Sequence, residues 1–299
     1  MVSNMEQMTT ILISLGYAFA LVLAAPLVSG IIKVSKARLQ NRRGPSLFQV
    51  YYDLFKLLQK DSVVSPTTSW IFTCAPYIYF AGAFGAAALL TSGDLFALLY
   101  LLVAGRFFLA LASLDAGSSF GGMGGSRELY ISVLVEPVLL VTLLTVAARA
   151  GSTKLAAMSA AAASTPFSLP YIFAAVAFLI ILVAETGRIP VDNPDTHLEL
   201  TMIHEAMVLE YSGRRLGLIF LAAASKQLVF ILLFTVLFLP WQSGGLSPVM
   251  VFFWLVVKVV LTAVALAVLE TSTNKMRLFK VPGFMGLAGM LALLALVAQ

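Results

Sequence analysis

The sequence contains little charge for its length. Only 11% of its 299 residues are Asp, Glu, Lys or Arg, whereas 60% are hydrophobic. A soluble globular protein of this size needs more polar surface than this composition supplies. The shortage of charge therefore excludes a soluble protein and indicates a chain that lies in a membrane.

Cysteine and histidine are also scarce. Cys74 is the single cysteine of the sequence. It excludes an intrachain disulfide and also an iron–sulfur cluster or a [NiFe] centre held by this chain, because each of these needs several thiolates. The two histidines, His197 and His204, do not form the HExxH pattern of a helical zinc site. We therefore expect no metal and no cofactor on this chain.

Long apolar segments make up most of the sequence. A helix of about 20 apolar residues crosses the hydrocarbon core of a bilayer. Helices are expected because unpaired backbone groups cannot face lipid, and the segments lack the alternation of a β-barrel. We predict an all-α polytopic membrane protein with about eight transmembrane helices, in a single membrane domain over residues 1–299. The predicted spans are 9–32, 70–91, 94–114, 128–149, 169–186, 216–239, 248–270 and 279–298.

The basic residues are divided unevenly between the two ends of these spans. If the first loop is cytoplasmic, most of them lie on the inner side, and only Arg149 and Lys154 lie on the outer side. By the positive-inside rule, this is a multi-pass protein of the cytoplasmic (inner) membrane with both termini outside. The net charge of +5 then reflects topology and contact with lipid headgroups, and we expect no nucleic-acid partner.

The two longest polar loops, about 33–69 and 187–215, are both cytoplasmic in this topology and suggest a docking surface. In the first loop, GPSLFQVYYDLFKLLQKDS has apolar residues spaced by three and four, which predicts an amphipathic helix at the membrane interface. One interpretation is a helix that only packs against neighbouring spans. In the other, Arg42 and Arg43 hold a carboxylate or phosphate of a soluble partner, with Asp53 and Lys56 on the same docking surface.

For two other connections the sequence indicates little regular structure. The glycine-rich stretch 115–127, DAGSSFGGMGGSR, is expected to be flexible, and the Ala- and Ser-rich stretch 150–168 is expected to be an outer loop. Asp94 and Glu270 lie at predicted helix ends, where we expect them to be solvated.

Four ionisable side chains lie inside predicted spans: Arg106, Glu136, Lys226 and Lys258. A charge at this depth is costly unless it faces protein or water. Arg106 and Glu136 lie at similar depth and are candidates to pair, while Pro137 makes room for water beside the carboxylate. Lys226 and Lys258 lie near the membrane midplane. These groups are either steps in a proton path or purely structural ion pairs.

The second polar loop gathers six of the fourteen acids of the chain between residues 185 and 213. Pro190 and Pro194 prevent the preceding helix from continuing, and Asn193 is suited to cap a new one. On that helix Glu199 and Glu210 would share a face, about 16 Å apart. Such a line of carboxylates fits a hydrated proton route, although a solvated loop helix explains it as well.

Two motifs carry a family resemblance. RRGPSLFQVYYDLFKLLQKDS, and AETGRIPVDNPDTHLEL with the later LEYSG, resemble the membrane subunit shared by respiratory complex I and the energy-converting group 4 [NiFe] hydrogenases, which include formate hydrogenlyase. Relative to the complex I pattern, the stretch before Gln49 is shorter, and TMIHEAMVL contains about three extra residues. Both departures favour the hydrogenase branch.

The resemblance implies a subunit that performs no bond chemistry itself, but anchors a hydrogenase and couples its redox change to proton or sodium movement. It implies as partners the soluble [NiFe] hydrogenase large and small subunits, a ferredoxin-like iron–sulfur subunit and antiporter-like membrane subunits. The [NiFe] centre and the iron–sulfur clusters would lie on those partners. Together with the buried lysines, it gives a hypothetical proton path with Arg106 and Arg188 as counter-ions: Glu136, Glu185, Asp192, Asp195, Glu199, Glu210, Lys226 and Lys258.

Three alternatives remain at this point. The chain could be the quinone-chamber subunit of a respiratory complex I, although the shortened first loop argues against this. It could be a stand-alone transporter, with the second polar loop as a substrate gate. It could also be a structural anchor in which all the acids are merely paired.

Overall fold

Helices dominate the molecule. The computed structural model describes residues 2–91, 93–164, 168–193, 202–240 and 247–298, with side chains from residue 8 onward. Over these residues the chain forms α1 (Val2–Leu39), α2 (Gln49–Gln59), α3 (Trp70–Leu89), α4 (Leu95–Asp115), α5 (Ser119–Ala150), α6 (Leu155–Ser164), α7 (Leu169–Glu185), α8 (His204–Val208), α9 (Gly213–Phe238), α10 (Pro248–Ser272) and α11 (Val281–Val297), the last preceded by a 3-10 turn at Leu278–Lys280.

The eight predicted spans correspond to α1, α3, α4, α5, α7, α9, α10 and α11. In the described part of the chain, seven of these are long and apolar enough to cross a membrane. The exception is α7, whose 17 residues fall short of the roughly 20 that a span needs. It ends at Glu185 because Gly187 adopts a φ of 58°, a left-handed conformation that stops a helix. The prediction of an all-α multi-pass membrane protein is confirmed.

Several helices begin at residues whose side chains satisfy the first backbone N–H groups. Ser69 Oγ accepts from the Ile71 amide at 3.2 Å before α3, and an Asp94 carboxylate oxygen accepts from the Phe96 amide at 2.9 Å before α4. These amides have no partner within the first helical turn, so a capping oxygen fixes where each helix starts.

Helix α9 lies at the centre of the bundle. In its most apolar stretch 72% of the residues are buried, against 22% in α10, and α9 contacts α1, α2, α3, α6, α7 and α10. Against it the ring of Phe178 in α7 packs between Phe234 and Phe238, with centroids 6.1 and 5.1 Å away. This aromatic packing holds the short α7 inside the bundle.

The glycine-rich stretch is not a flexible connection, so that prediction was wrong. Helix α5 begins at Ser119 and includes these glycines, which lie against neighbouring helices. A Cβ on Gly124 would lie 2.9 Å from the Ile203 carbonyl oxygen, and one on Gly125 would lie 2.2 Å from Ser113 Oγ. The glycines therefore allow α5 to approach α8 and α4 closely.

The stretch 150–168 contains a helix that was not predicted. It contains α6, whose Leu155 and Met158 are buried in the main core. The Leu155 amide donates to the Gly93 carbonyl at 3.2 Å, and the Leu95 amide donates to the Thr153 carbonyl at 3.0 Å. The α3–α4 and α5–α6 connections therefore meet at one end of the bundle.

The predicted amphipathic helix is present as α2. It packs on α9 and α1 with Leu54 buried, whereas Tyr52 and Phe55 are 64% and 65% exposed. Gly30 in α1 lets the chain before α2 lie close, because a Cβ there would be 2.3 Å from the Leu47 carbonyl oxygen. An apolar exposed side on a helix of this kind is typical of the membrane interface.

The EYSG motif fastens the start of α9 to the chain between α2 and α3. Tyr211 stacks on Phe72 with ring centroids 4.0 Å apart and donates its hydroxyl to the Phe72 carbonyl at 2.9 Å. Ser212 Oγ accepts from the Val63 amide at 2.8 Å. Burial raises the pKa of the Tyr211 phenol above its ordinary value, so the hydroxyl remains a donor at neutral pH.

Candidate functional site

A cavity of ≈ 280 Å³ with charged residues on its wall lies at one end of the bundle. Residues from both long loops line it, which places the ends of α1 and α7, the helix α2 and the helix α8 around one space. The charged residues on its wall are Lys33, Lys36, Asp53, Arg106, Glu128, Glu185, Arg188, Glu205 and Lys226.

Glu185 is the carboxylate of a first buried group of charges, here called the Glu185 cluster and formed by Arg106, Glu185 and Lys226. Glu185 Oε2 contacts Arg106 Nη2 and lies 2.8 Å from Lys226 Nζ. Arg106 also donates to Ser132 Oγ at 2.8 Å. All three charged side chains are buried. A buried carboxylate is stable only when cations and donors compensate it, and here two cations converge on one oxygen.

The predicted pair of Arg106 and Glu136 is present as an outer contact, with Nη1 and Oε1 3.8 Å apart. Glu128 lies at a similar distance, 3.6 Å from Arg106 Nε. The sequence placed Arg106 and Glu136 at the same depth correctly, but it gave no indication that the end of α7 reaches that level. The fully buried carboxylate in contact with Arg106 therefore belongs to Glu185, whereas the predicted partner Glu136 makes only the longer contact.

A second group of charges, here called the Glu270 cluster, consists of Lys36, Arg188 and Glu270. Glu270 Oε2 lies 3.2 Å from Lys36 Nζ, and Oε1 accepts from Arg188 Nη1 at 2.9 Å. Glu270 is only 3% exposed, so the prediction that it is solvated was wrong. The cause is the length of α1, which continues past its predicted end at residue 32 and carries Lys36 to the end of α10.

Arg188 was expected to neutralise Glu185. In the contacts of the described residues it bonds instead to Glu270 and to Gln227, and Arg106 and Lys226 compensate Glu185. The turn after α7 explains this, since the left-handed Gly187 redirects the chain before Arg188.

Gln227 joins the two clusters. It follows Lys226 in α9, and its Oε1 accepts from Arg188 Nη2 and from Ser29 Oγ, both at 3.0 Å. A guanidinium can only donate, so this bond fixes which end of the amide carries the oxygen. Sequence reasoning missed Gln227, although a glutamine directly after a lysine inside an apolar helix was a usable signal.

Asp192 lies beside the cavity and not on its wall. It is 3% exposed and accepts from Lys275 Nζ at 2.7 Å, from the Asn193 amide at 2.8 Å and from the His204 amide at 3.1 Å. Its carboxylate thus joins the chain on both sides of residues 194–201 to the α10–α11 connection. This arrangement fits a structural role at least as well as the predicted place in a proton path.

Two of the remaining predicted path residues are described, and both lie off the cavity wall. Lys258 lies in α10, and the cavity wall does not include it. Glu210 is exposed and follows α8, which covers only His204–Val208. The predicted helix therefore does not continue to Glu210. Asp195 and Glu199 lie outside the described residues.

The predicted docking residues lie near the same end. Arg42, Arg43 and Lys56 are exposed, and Asp53 stands at the cavity wall, where it accepts from Gln49 Nε2 at 2.9 Å. These positions leave the two arginines accessible to a partner.

The cavity brings together acids and bases, several of which have buried side chains. Charges interact strongly under these conditions, so a change of charge at one group alters the protonation of its neighbours. The arrangement is therefore suited to moving protons or to transmitting a change of charge.

The comparisons with known proteins identify the family of this chain. Residues 11–298 match the family described as NADH dehydrogenase. The chain belongs to this family. The chain resembles formate hydrogenlyase subunit 4 of Escherichia coli (strain K12). The two are 36% identical over 287 residues, which cover 90% of this chain and 92% of that protein. Hydrogenase-4 component C of the same organism is 35% identical over 244 residues, 77% and 76% of the two chains.

Relatives from NADH-quinone oxidoreductases share fewer identical residues with this chain. A subunit of the NADH-quinone oxidoreductase of Syntrophotalea carbinolica is 30% identical over 280 residues, 83% of this chain and 82% of that protein. A chain of the solved structure of the membrane-bound sulfane sulfur reductase, an archaeal respiratory membrane complex, superimposes with a TM-score of 0.82 at 20% identity, covering 97% and 99%. This last likeness shows the fold alone. The family resemblance inferred from the two motifs is confirmed.

Proposed function

We propose that this NADH dehydrogenase family member is the membrane-anchoring and ion-translocation-coupling subunit of a membrane-bound [NiFe] hydrogenase complex. The observation that carries this proposal is the charged cavity, which both long loops line and which the Glu185 and Glu270 clusters border. The relatives that are membrane components of hydrogenases support the choice of complex.

The chain performs no bond chemistry in this proposal. A change of charge in a soluble partner docked at the loops acts first on Arg188 and Asp53 at the cavity wall. The change of charge then reaches the Glu185 cluster through Gln227. The side-chain amide of Gln227 accepts from Arg188, and its backbone is bonded to Lys226 of that cluster. From Arg106 the change passes to Glu136, and so into the membrane.

The proposed partners are the soluble [NiFe] hydrogenase large and small subunits, a ferredoxin-like iron–sulfur subunit and antiporter-like membrane subunits. The [NiFe] centre and the iron–sulfur clusters would belong to the soluble ones, since the single thiol of this chain, Cys74, is free and such groups need several thiolates. Arg42, Arg43, Asp53 and Lys56 would face these partners.

The location is the inner membrane, with the cavity on the cytoplasmic side and both termini outside. The cavity gathers the ends of α1 and α7 with α2 and α8, and most of the basic residues fall at this end. The positive-inside rule assigns that end to the cytoplasm.

The complex I alternative is disfavoured by the shortened first loop. The cavity wall also carries charges from several helices or their ends, more than the few polar groups typical of a site for an organic ligand. Quinone bound to the purified complex would favour that alternative.

The test is to purify the intact complex in mild detergent, to identify its subunits and metals, and to reconstitute it in liposomes. Lys226→Met removes a titratable group of the Glu185 cluster while Arg106 still compensates Glu185. Because proton-transfer groups contribute about a hundredfold or more to rate, we expect ion uptake per hydrogen formed to fall at least about tenfold.

Lys280→Met is the matched control, because that lysine is exposed at the end of the 3-10 turn before α11, lies off the cavity wall and has no place in the proposed path. It should retain wild-type ion uptake. A purified complex without hydrogenase subunits, or unchanged uptake in Lys226→Met, would refute the proposed function.

A further inference from the structure

We propose that His204 is a proton carrier on the cavity wall, which takes up protons from the cytoplasmic side and releases them toward the Glu185 cluster. This inference rests on the proposed function and specifies the ion as a proton. It assigns a role to a residue that sequence reasoning considered only as a zinc ligand.

The first observation is the state of the imidazole. His204 lines the cavity together with Glu185 and Lys226. Its ring is partly exposed, whereas Nε2 is buried and has no hydrogen-bond partner among the described residues. Buried polar atoms are nearly always satisfied by protein or by water. The cavity is large enough for several waters, and a small rotation of the ring would bring Nε2 to one of them.

The second observation is that the backbone of His204 is firmly placed. Its amide donates to Asp192 at 3.1 Å, and the preceding turn is held by Arg127 Nη1, which donates to the Met202 carbonyl at 3.1 Å. Helix α8 also packs closely on Gly124 of α5. A fixed backbone with an unpartnered side-chain nitrogen differs from a structural histidine, whose ring nitrogens hold neighbouring groups in place.

The third observation is that other polar atoms on the same wall also have no partner. Gln227 Nε2 and Arg106 Nε are buried without a hydrogen-bond acceptor in the described part of the chain. Both can only donate, so each needs an oxygen in the cavity. Waters that satisfy them and His204 Nε2 would form a connection from α8 to the Glu185 cluster.

Charges of both signs line the same cavity as the imidazole. Helix α8 packs on α5 and α4. The titratable and charged groups on α8, on the elements packed against it and on the cavity wall include Glu205 beside His204, Arg127 and Glu128 on α5, Arg106 and Asp115 on α4, Asp192 with its partner Lys275 beside the His204 amide, and Lys33, Lys36, Asp53, Glu185, Arg188 and Lys226 on the cavity wall.

The chemistry follows from the ring. Histidine is the side chain whose ordinary pKa, about 6.5, lies near neutral pH, and it can accept a proton on one nitrogen while it releases another from the second. Each transfer moves one proton from water on the accessible side to water in the cavity, and no electrons are involved. His204 thereby returns to its starting charge.

His204→Gln in the reconstituted complex tests this role, because glutamine keeps a hydrogen-bonding side chain but does not titrate near neutral pH. Proton uptake per hydrogen formed is measured between about pH 5.5 and 8.5, which brackets the ordinary pKa of histidine. We expect the wild type to show a transition in this range. In the variant this transition should be absent, and proton uptake should be at least about tenfold lower than in the wild type. In a second variant, His204→Ala, added imidazole should restore part of the uptake.

Leu209→Gln is the matched control, since it introduces the same side chain at a 48% exposed position just after α8 and off the cavity wall. It should keep the wild-type pH profile. If uptake falls in Lys226→Met while His204→Gln keeps the wild-type profile, the proton-carrier role is refuted and the proposed function stands. If neither variant alters uptake, both are refuted.

Two further outcomes also decide the matter. Uptake of sodium without protons would overturn the role of His204. If His204→Gln does not assemble, His204→Asn is measured in the same way. Failure of both to assemble would show that the residue is structural and would overturn the proposal.

Discussion

Arg106 is the residue on which the buried charges of the cavity depend. It contacts Glu185 and lies within 4 Å of Glu128 and Glu136, at 3.6 and 3.8 Å. Removing one member of a buried ion pair leaves the other charge without compensation in a medium that solvates it poorly. The cost is therefore expected to exceed that of losing any exposed charge in this chain.

The corresponding prediction concerns Arg106→Gln. Glu185 would keep only Lys226, and we expect a loss of about 3 kcal/mol in the free energy of unfolding, near the lower limit for a broken buried pair. Arg149→Gln at the exposed end of α5 is the control and should change the free energy by less than about 0.5 kcal/mol. Thermal unfolding of the purified complex measures both, and equal midpoints would contradict the structural account of Arg106.

At the scale of elements, hydrophobic length was sufficient to locate the spans. Helices α3, α4 and α10 begin and end within a few residues of prediction, because a run of about 20 apolar residues has few alternatives in a membrane. Helix α1 was underestimated, since its last turns are polar and only their contact with α10 and α2 stabilises them. The start of α5 was missed because local preference disfavours glycine in helices, and the close approach of α8 and α4 that requires glycine is a property of the fold.

That close approach gives a prediction for α5. Gly124→Ala places a Cβ 2.8 Å from the Ala206 Cβ and 2.9 Å from backbone atoms of Ile203 and Met207. Because backbone atoms cannot move aside easily, we expect a destabilisation of about 1–3 kcal/mol and loosening of α8. Gly122→Ala, in the same helix with open space around it, should be neutral or stabilising by up to about 1 kcal/mol. Equal stability of the two variants, measured by thermal unfolding, would disprove this packing.

At the scale of the whole molecule, the candidate site is assembled from residues that are distant in sequence. Lys36 meets Glu270, and Arg106 meets Glu185. The sequence identified most of these side chains as unusual, because charge is costly inside a span. The sequence could not predict which of these side chains form ion pairs, because that depends on how α1, α4, α7, α9 and α10 are arranged in the bundle. Gln227 was missed although its place directly after Lys226 in an apolar helix was a usable signal, and the position of His204 on the cavity wall depends on neighbours that are distant in sequence.

The orientation of the molecule decides which compartment the cavity serves, and it gives the last prediction. Replacing Cys74, the single cysteine, by serine provides a background for cysteine mapping. Lys280 lies before α11, at the end of the bundle where Lys275 pairs with Asp192 beside the cavity. Lys154, whose backbone pairs with Asp94, lies at the other end, and both lysines are exposed. A membrane-impermeant maleimide applied to spheroplasts should label Lys154→Cys at once and Lys280→Cys only after permeabilisation, while the serine background stays unlabelled. The reverse pattern would place the cavity outside, where a soluble partner in the cytoplasm cannot reach Arg188 or Asp53 and where His204 cannot take up cytoplasmic protons.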